Sequence, residues 1–228
     1  MKKKKESGFT LLELLIVIAI LAVLSVALVL VLNPTETLKK ARDGQRISDL
    51  STLKTAIGLY LTSVSPAYLG DAADNNLCKA TPATGWGNGS GTPKISYSRA
   101  GTAITDITLD GGTTATVARN LNTVALASVT DGTGWVPVKF DNITGGSPIS
   151  NIPLDPINTV SDVANVASTD LMYRYACSIT PLAYEIDAQL ESTAYTSTDD
   201  KRASDGGNNA NLYETGTNLG ILGTSTDF

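Results

Sequence analysis

From Phe9 to Leu32 every position is apolar or small except Thr10, Glu13 and Ser25. As a helix this run rises ~36 Å, enough to cross a bilayer. Asn33-Pro34 should interrupt it, because proline lacks an amide donor and its ring crowds the preceding turn, so a kink is expected at Pro34. Beyond the proline, Ile47, Leu50, Leu53, Ile57, Tyr60 and Leu61 recur at three- and four-residue steps. That spacing predicts a second, amphipathic stretch of helix whose apolar face lies on a sheet. Lys39, Lys40, Arg42, Asp43, Arg46 and Asp49 are expected to form a solvated face, the alternative being specific pairing between subunits.

Between Ser63 and Ser150 the chain is dense in Gly, Thr, Ser, Ala and Asn, with turn signals at Asp110-Gly111-Gly112, Asp131-Gly132 and Gly145-Gly146. It reads as loops with short strands. Thr123 to Val129 and Trp135 to Phe140 are the strand candidates, joined as a hairpin through Asp131-Gly132-Thr133-Gly134. Trp86 and Trp135 are read as core or loop anchors. Ile152-Pro153-Leu154-Asp155-Pro156 is a rigid turn. After it, Leu171 to Ser178 and Leu182 to Leu190 alternate as strands around Ile179-Thr180-Pro181, which suggests an antiparallel sheet. The predicted fold is α+β: a long N-terminal α-helix on a small antiparallel β-sheet head with long loops. Its parts are 9–32, the transmembrane half of the helix; 33–62, the amphipathic half; and a β-rich head at 63–228 with a variable insert at about 63–150.

A length of 228 residues allows one apolar segment and one globular domain. Charged residues are 17% and the net charge is -5, so the broad basic surface that nucleic-acid binding needs is missing. Lys2, Lys3, Lys4 and Lys5 precede the apolar run, which places them on the cytoplasmic side and the acidic remainder outside. There is no histidine, which removes Ser-His-Asp and Cys-His catalysis and histidine metal sites. No enzyme is expected. Asp155, Glu185 and Asp187 are read as turn and strand-surface residues rather than a catalytic carboxylate pair. Cys78 and Cys177 fall in the exported part, where thiols tend to pair, and are expected to form one disulfide; two separate buried thiols are the alternative.

Glu13 does not fit an inert anchor, since a carboxylate one turn inside an apolar span is expensive unless it finds a partner. A cut before Phe9 would create one, a positive α-amino group four residues away. Gly8-Phe9-Thr10-Leu11-Leu12-Glu13-Leu14 behind a Lys-rich leader resembles the class III signal of type IV pilins and type II secretion pseudopilins. The resemblance implies that 1–8 is a leader, that prepilin peptidase cuts after Gly8, and that it methylates the amine of Phe9. It also implies that Glu13 serves assembly by meeting the N-terminal amine of an adjacent subunit. Two other readings compete: a secretory signal cleaved after Ser25-Val26-Ala27, and a plain uncleaved anchor. Pilins generally kink in the membrane half of this helix, and Pro34 lies further along.

Pro153-Leu154-Asp155-Pro156, Tyr173-Arg174-Tyr175 and Tyr184 to Glu191 are similar to the head pattern of major pseudopilins and related pilins. In the polar tail, Asp199, Asp200, Asp205 and Asn208 are hard oxygen ligands of the type calcium takes. Major pseudopilins carry a calcium site in a loop of this region. The spacing is unlike an EF-hand, which favours an acidic solvated loop instead, and no other cofactor is expected. The expected function is structural: a subunit of a type IV pilus-like filament, with a type II secretion pseudopilin as the alternative. From another class, the alternative is a membrane-anchored extracellular binding module. The expected partners are copies of the chain, prepilin peptidase, an inner-membrane assembly platform and, before assembly, the membrane. The expected location is the cytoplasmic membrane with the head outside, then an extracellular or periplasmic filament.

Overall fold

The computed structural model describes residues 8–71, 74–83, 85–86, 93–99, 107–109, 113–115, 118–119, 127–163 and 166–224. Contacts divide the chain into two units, Met1–Lys39 and Lys40–Phe228.

The first unit contains α1 (Leu11–Leu32) and the start of α2 (Pro34–Ser63). Leucine, isoleucine, valine and alanine cover every side of α1, so it has no polar face to turn toward water. Among the described residues, it is the helix long and apolar enough to cross a membrane. It ends at Asn33, whose backbone is left-handed with φ 39° and ψ 70°. Asparagine tolerates that conformation, and Pro34 then opens α2 at the one helical position where its missing amide costs nothing.

In the second unit α2 buries Asp43, Arg46, Leu50, Leu53, Ala56, Ile57 and Tyr60, a stripe at three- and four-residue steps. The stripe packs with a five-stranded mixed sheet in the order β4-β1-β5-β6-β7. The strands are β1 (Ile95–Tyr97), β4 (Ala118–Arg119), β5 (Tyr173–Ser178), β6 (Ala183–Ala188) and β7 (Tyr213–Gly216). A separate antiparallel pair joins β2 (Ile107–Leu109) to β3 (Thr113–Ala115). β5, β6 and β7 pair antiparallel, as does β1 with β5, but β4 lies parallel to β1. The sheet is therefore not wholly antiparallel.

Side chains alternate across β5 and β6 as the pleat requires. Tyr173, Tyr175, Cys177, Tyr184, Ile186 and Ala188 join the core with α2, while Ala176 and Ala183 face a second core with Leu212, Ile221 and Leu222. Both faces of the central strands are thus buried. Glu185 and Asp187, read from the sequence as strand-surface residues, are 0% and 1% exposed because the C-terminal segment covers their face.

The expected strand from Trp135 to Phe140 is an irregular segment instead. Trp135, Val136, Val138 and Phe140 are all buried, so burial does not alternate, and Pro137 supplies no ladder donor. Its backbone still reaches the facing residues, through Trp135 N–H to Ala127 O at 3.0 Å and Phe140 N–H to Thr130 O at 2.9 Å. Most of its predicted partner, residues 123–126, lies outside the described residues. Trp135 anchors the segment, its indole N–H donating to Pro153 O at 2.9 Å.

Candidate functional site

Polar chemistry concentrates at the start of α1 and among the buried charges in the N-terminal half of α2. At the first, Gly8, Phe9 and Thr10 precede the helix, so the Gly8–Phe9 peptide bond lies in non-helical chain. Thr10 is the N-cap. Its hydroxyl oxygen accepts from Glu13 N–H at 3.2 Å, and Glu13 Oε2 accepts from Thr10 N–H at 2.9 Å and from the Thr10 hydroxyl at 2.8 Å. This reciprocal box satisfies amides that a helix start leaves open. Glu13 therefore has a partner within its own chain before any cut, and Phe9 just upstream is 79% exposed.

At the second place Arg46 is fully buried. Its guanidinium donates to Asp155 twice, to Asp43 at 2.8 Å and to Glu191 at 2.7 Å. Arg42 makes a second fork onto Glu191, at 2.8 and 2.9 Å. Asp43 in turn accepts the backbone N–H groups of Glu191 and Ser192. Burial alone would lower the Arg46 pKa, but hydrogen bonds and charge from Asp155, then Glu191 and Asp43, raise it overall. Asp43 and Arg46 are thus not part of a solvated face. Asp155 and Glu191, from distant parts of the chain, cover them. Asp49 is likewise engaged, accepting the Tyr173 hydroxyl at 2.8 Å.

Residues 3–29 match the prokaryotic N-terminal methylation motif. This is the type IV pilin and pseudopilin signal. No curated protein and no solved structure matches the chain. A pilin-type signal implies a filament subunit processed by a prepilin peptidase, and it marks structural proteins rather than enzymes. Together with the apolar α1 it is consistent with a membrane-anchored precursor.

Cys78 and Cys177 are joined in a disulfide that ties the segment before β1 to β5. Asp199, Asp200 and Asp205, the residues considered for calcium, each have a partner within the chain. Asp199 pairs with Lys201 at 2.6 Å, Asp200 with Arg202 at 2.9 Å, and Asp205 accepts the N–H groups of Gly207 and Glu214. Among the described residues no group of three or more metal-ligating side chains is placed to hold an ion.

Sequence reasoning missed the Arg46 cluster, although a signal was present. Positions 43 and 46 extend the 50-53-57-60 stripe backwards by the same steps, which puts both charges on the packing face of α2.

Proposed function

We propose that this chain is the subunit of a type IV pilus-like filament. Residues 1–8 are removed between Gly8 and Phe9, Phe9 is N-methylated, and copies assemble by packing α1 against α1. The observation that carries this reading is α1 itself: its apolar side chains from Leu11 to Leu28 are exposed, and one carboxylate, Glu13, lies inside the run that matches the methylation motif. A surface of this kind is stable in lipid or against like helices and unstable in water. On leaving the bilayer it exchanges lipid contacts for packing between helices. The precursor is held in the cytoplasmic membrane with its head outside and reaches an assembly platform there. The filament forms outside.

The long insert at about 63–150 and the Cys78–Cys177 disulfide favour a pilus exposed to the surroundings. The pattern from Pro153 to Glu191 favours the alternative, a major pseudopilin of type II secretion. Mass spectrometry of the N-terminus of membrane-derived protein tests the common part. A chain beginning with methylated Phe9 supports it, whereas an intact Met1 or a start at Leu28 overturns it. Deleting the gene separates the two filaments, through loss of surface fibres or loss of secreted proteins.

A further inference from the structure

The back of the sheet holds a group of charges that filament assembly through α1 does not use. Glu185 on β6 and Glu214 on β7 are 0% and 2% exposed, and the register that sets Glu185 opposite Gly216 and Asp187 opposite Glu214 makes the two glutamates diagonal neighbours on one face of the sheet. Each already commits one oxygen to backbone donors. Oε2 of Glu185 accepts Ile221 N–H at 2.7 Å and Leu222 N–H at 2.8 Å, and Oε2 of Glu214 accepts Asn209 N–H at 2.8 Å. Among the described residues, Oε1 of each has no donor. Two ionised carboxylates side by side and away from water repel strongly, and a proton between them converts that repulsion into a hydrogen bond.

The surroundings suit a proton better than a metal ion. Amide donors face the carboxyls, and Lys79 Nζ, close to the charge of Glu185, donates to Ile221 O at 3.0 Å. Asp187, opposite Glu214 in the strand register, is paired with Arg174 of β5 at 3.2 Å. Asp205 accepts Glu214 N–H at 2.7 Å. Space is closed as well, since a Cβ on Gly207 would overlap the Glu214 carboxyl. Burial is the main cause that raises the pKa of Glu185 and of Glu214, and it pushes Asp187 up to about 7.

The same two carboxyls hold down residues 221–223. Glu185 grips the amides of Ile221 and Leu222, while Glu214 holds Asn209, whose side-chain amide donates to Gly223 O at 2.9 Å. We propose that Glu185 and Glu214 share one proton and that this proton closes residues 221–223 over the back of the sheet. Residues 221–223 are then a strap that is tight in mild acid and loosens as the pH rises. A carboxyl whose folded pKa lies above its unfolded value contributes stability that is fully present below the unfolded pKa. That contribution is lost as the pH rises through the folded one. Asp187 adds to the effect with the same sign.

Hydrogen exchange on the full-length protein in detergent, at about pH 5.5 and about pH 9, tests the strap, with rates corrected for intrinsic exchange. Protection of the Ile221 and Leu222 amides is expected to fall by about tenfold or more, the equivalent of one pKa unit. In Glu214→Gln, where an amide N–H replaces the shared proton at every pH, that fall should shrink to the part that Asp187 contributes. Equal wild-type protection at both pH values, or an undiminished fall in the variant, overturns the proposal. Infrared spectroscopy of the unmutated protein provides a reading that needs no variant. A buried protonated glutamate should persist at pH near 7, and full ionisation there sinks the shared proton.

Discussion

Arg46 and Asp155 meet in a two-point fork, Nε to Oδ2 at 2.7 Å and Nη2 to Oδ1 at 3.1 Å, with neither side chain exposed to solvent. The fork ties α2 to the Pro153-Leu154-Asp155-Pro156 turn, and Glu191 brings in the chain that leaves β6. Removing one member of a buried ion pair strands the other without water or a counter-charge, which costs about 3–5 kcal/mol. Arg46→Ala is therefore expected to lower the urea midpoint by a corresponding amount. Arg46→Lys should also fall well below wild type, because an ammonium cannot reproduce the fork. A wild-type midpoint in Arg46→Ala would show that the cluster contributes nothing.

Glu191 gives the head a second pH dependence, opposite in sign to that of the carboxyl pair. Burial pushes its pKa up, but hydrogen bonds and charge from Arg42 and Arg46 outweigh burial and bring it below the ordinary glutamate value. A depressed carboxylate contributes stability that is present above the unfolded pKa and lost as the pH falls through the folded one. Stability should thus decline from about pH 4.5 downward. In Glu191→Gln the head should be weaker at neutral pH, with a shallower acid slope. Thermal melts across the acid range check this, and an unchanged slope counts against the assignment.

The Cys78–Cys177 bond spans 99 residues of sequence. Closing so long a loop restricts the unfolded chain severely, and loss of the bond is expected to cost about 2–5 kcal/mol. The Cys78→Ser, Cys177→Ser double variant should melt well below wild type under oxidising conditions. It should coincide with wild type measured in excess reductant. Divergence of those two curves would mean that the cysteines act through packing rather than through the bond.

The sequence shows some of these features more clearly than others, and the difference follows from locality. The apolarity of α1 and the alternation of Tyr173, Tyr175 and Cys177 are properties of short windows, so they locate α1 and β5 directly. β1 and β4 are only three and two residues long, too short for any period to appear. Glu185 and Asp187 alternate with Tyr184 and Ile186, which on its own marks a wet face. Their burial depends on Leu212, Ile221 and Leu222, which lie well downstream and carry no local sign of where they will pack. The methylation motif is legible for a different reason, since each of its positions is read by chemistry in an adjacent stretch of chain. The Arg46 cluster stands between these cases: its helix stripe is local, but its partners Asp155 and Glu191 are not.

Glu13 is the residue on which local structure and proposed assembly make separate demands. In the single chain its carboxylate caps α1 through Thr10, so a change to alanine removes both the Thr10 N–H contact and the hydroxyl contact. The Gly8–Phe9 bond lies outside the helix, and Glu13→Ala should leave it accessible to the peptidase. Cleaved protein is therefore expected at near wild-type yield. Among packed copies of α1 the loss is of another kind, since each apolar helix would bury a positive amine with no carboxylate to meet it. Filaments should be absent or reduced by at least about tenfold, the effect of ~1.4 kcal/mol per subunit contact. Thr10→Val removes the capping hydroxyl but keeps the carboxylate, so it should retain most of the fibre yield and separate the cap from the charge. Shearing fibres from cells and blotting them against the processed pool measures both steps, and normal fibre yield from Glu13→Ala would remove its role in assembly.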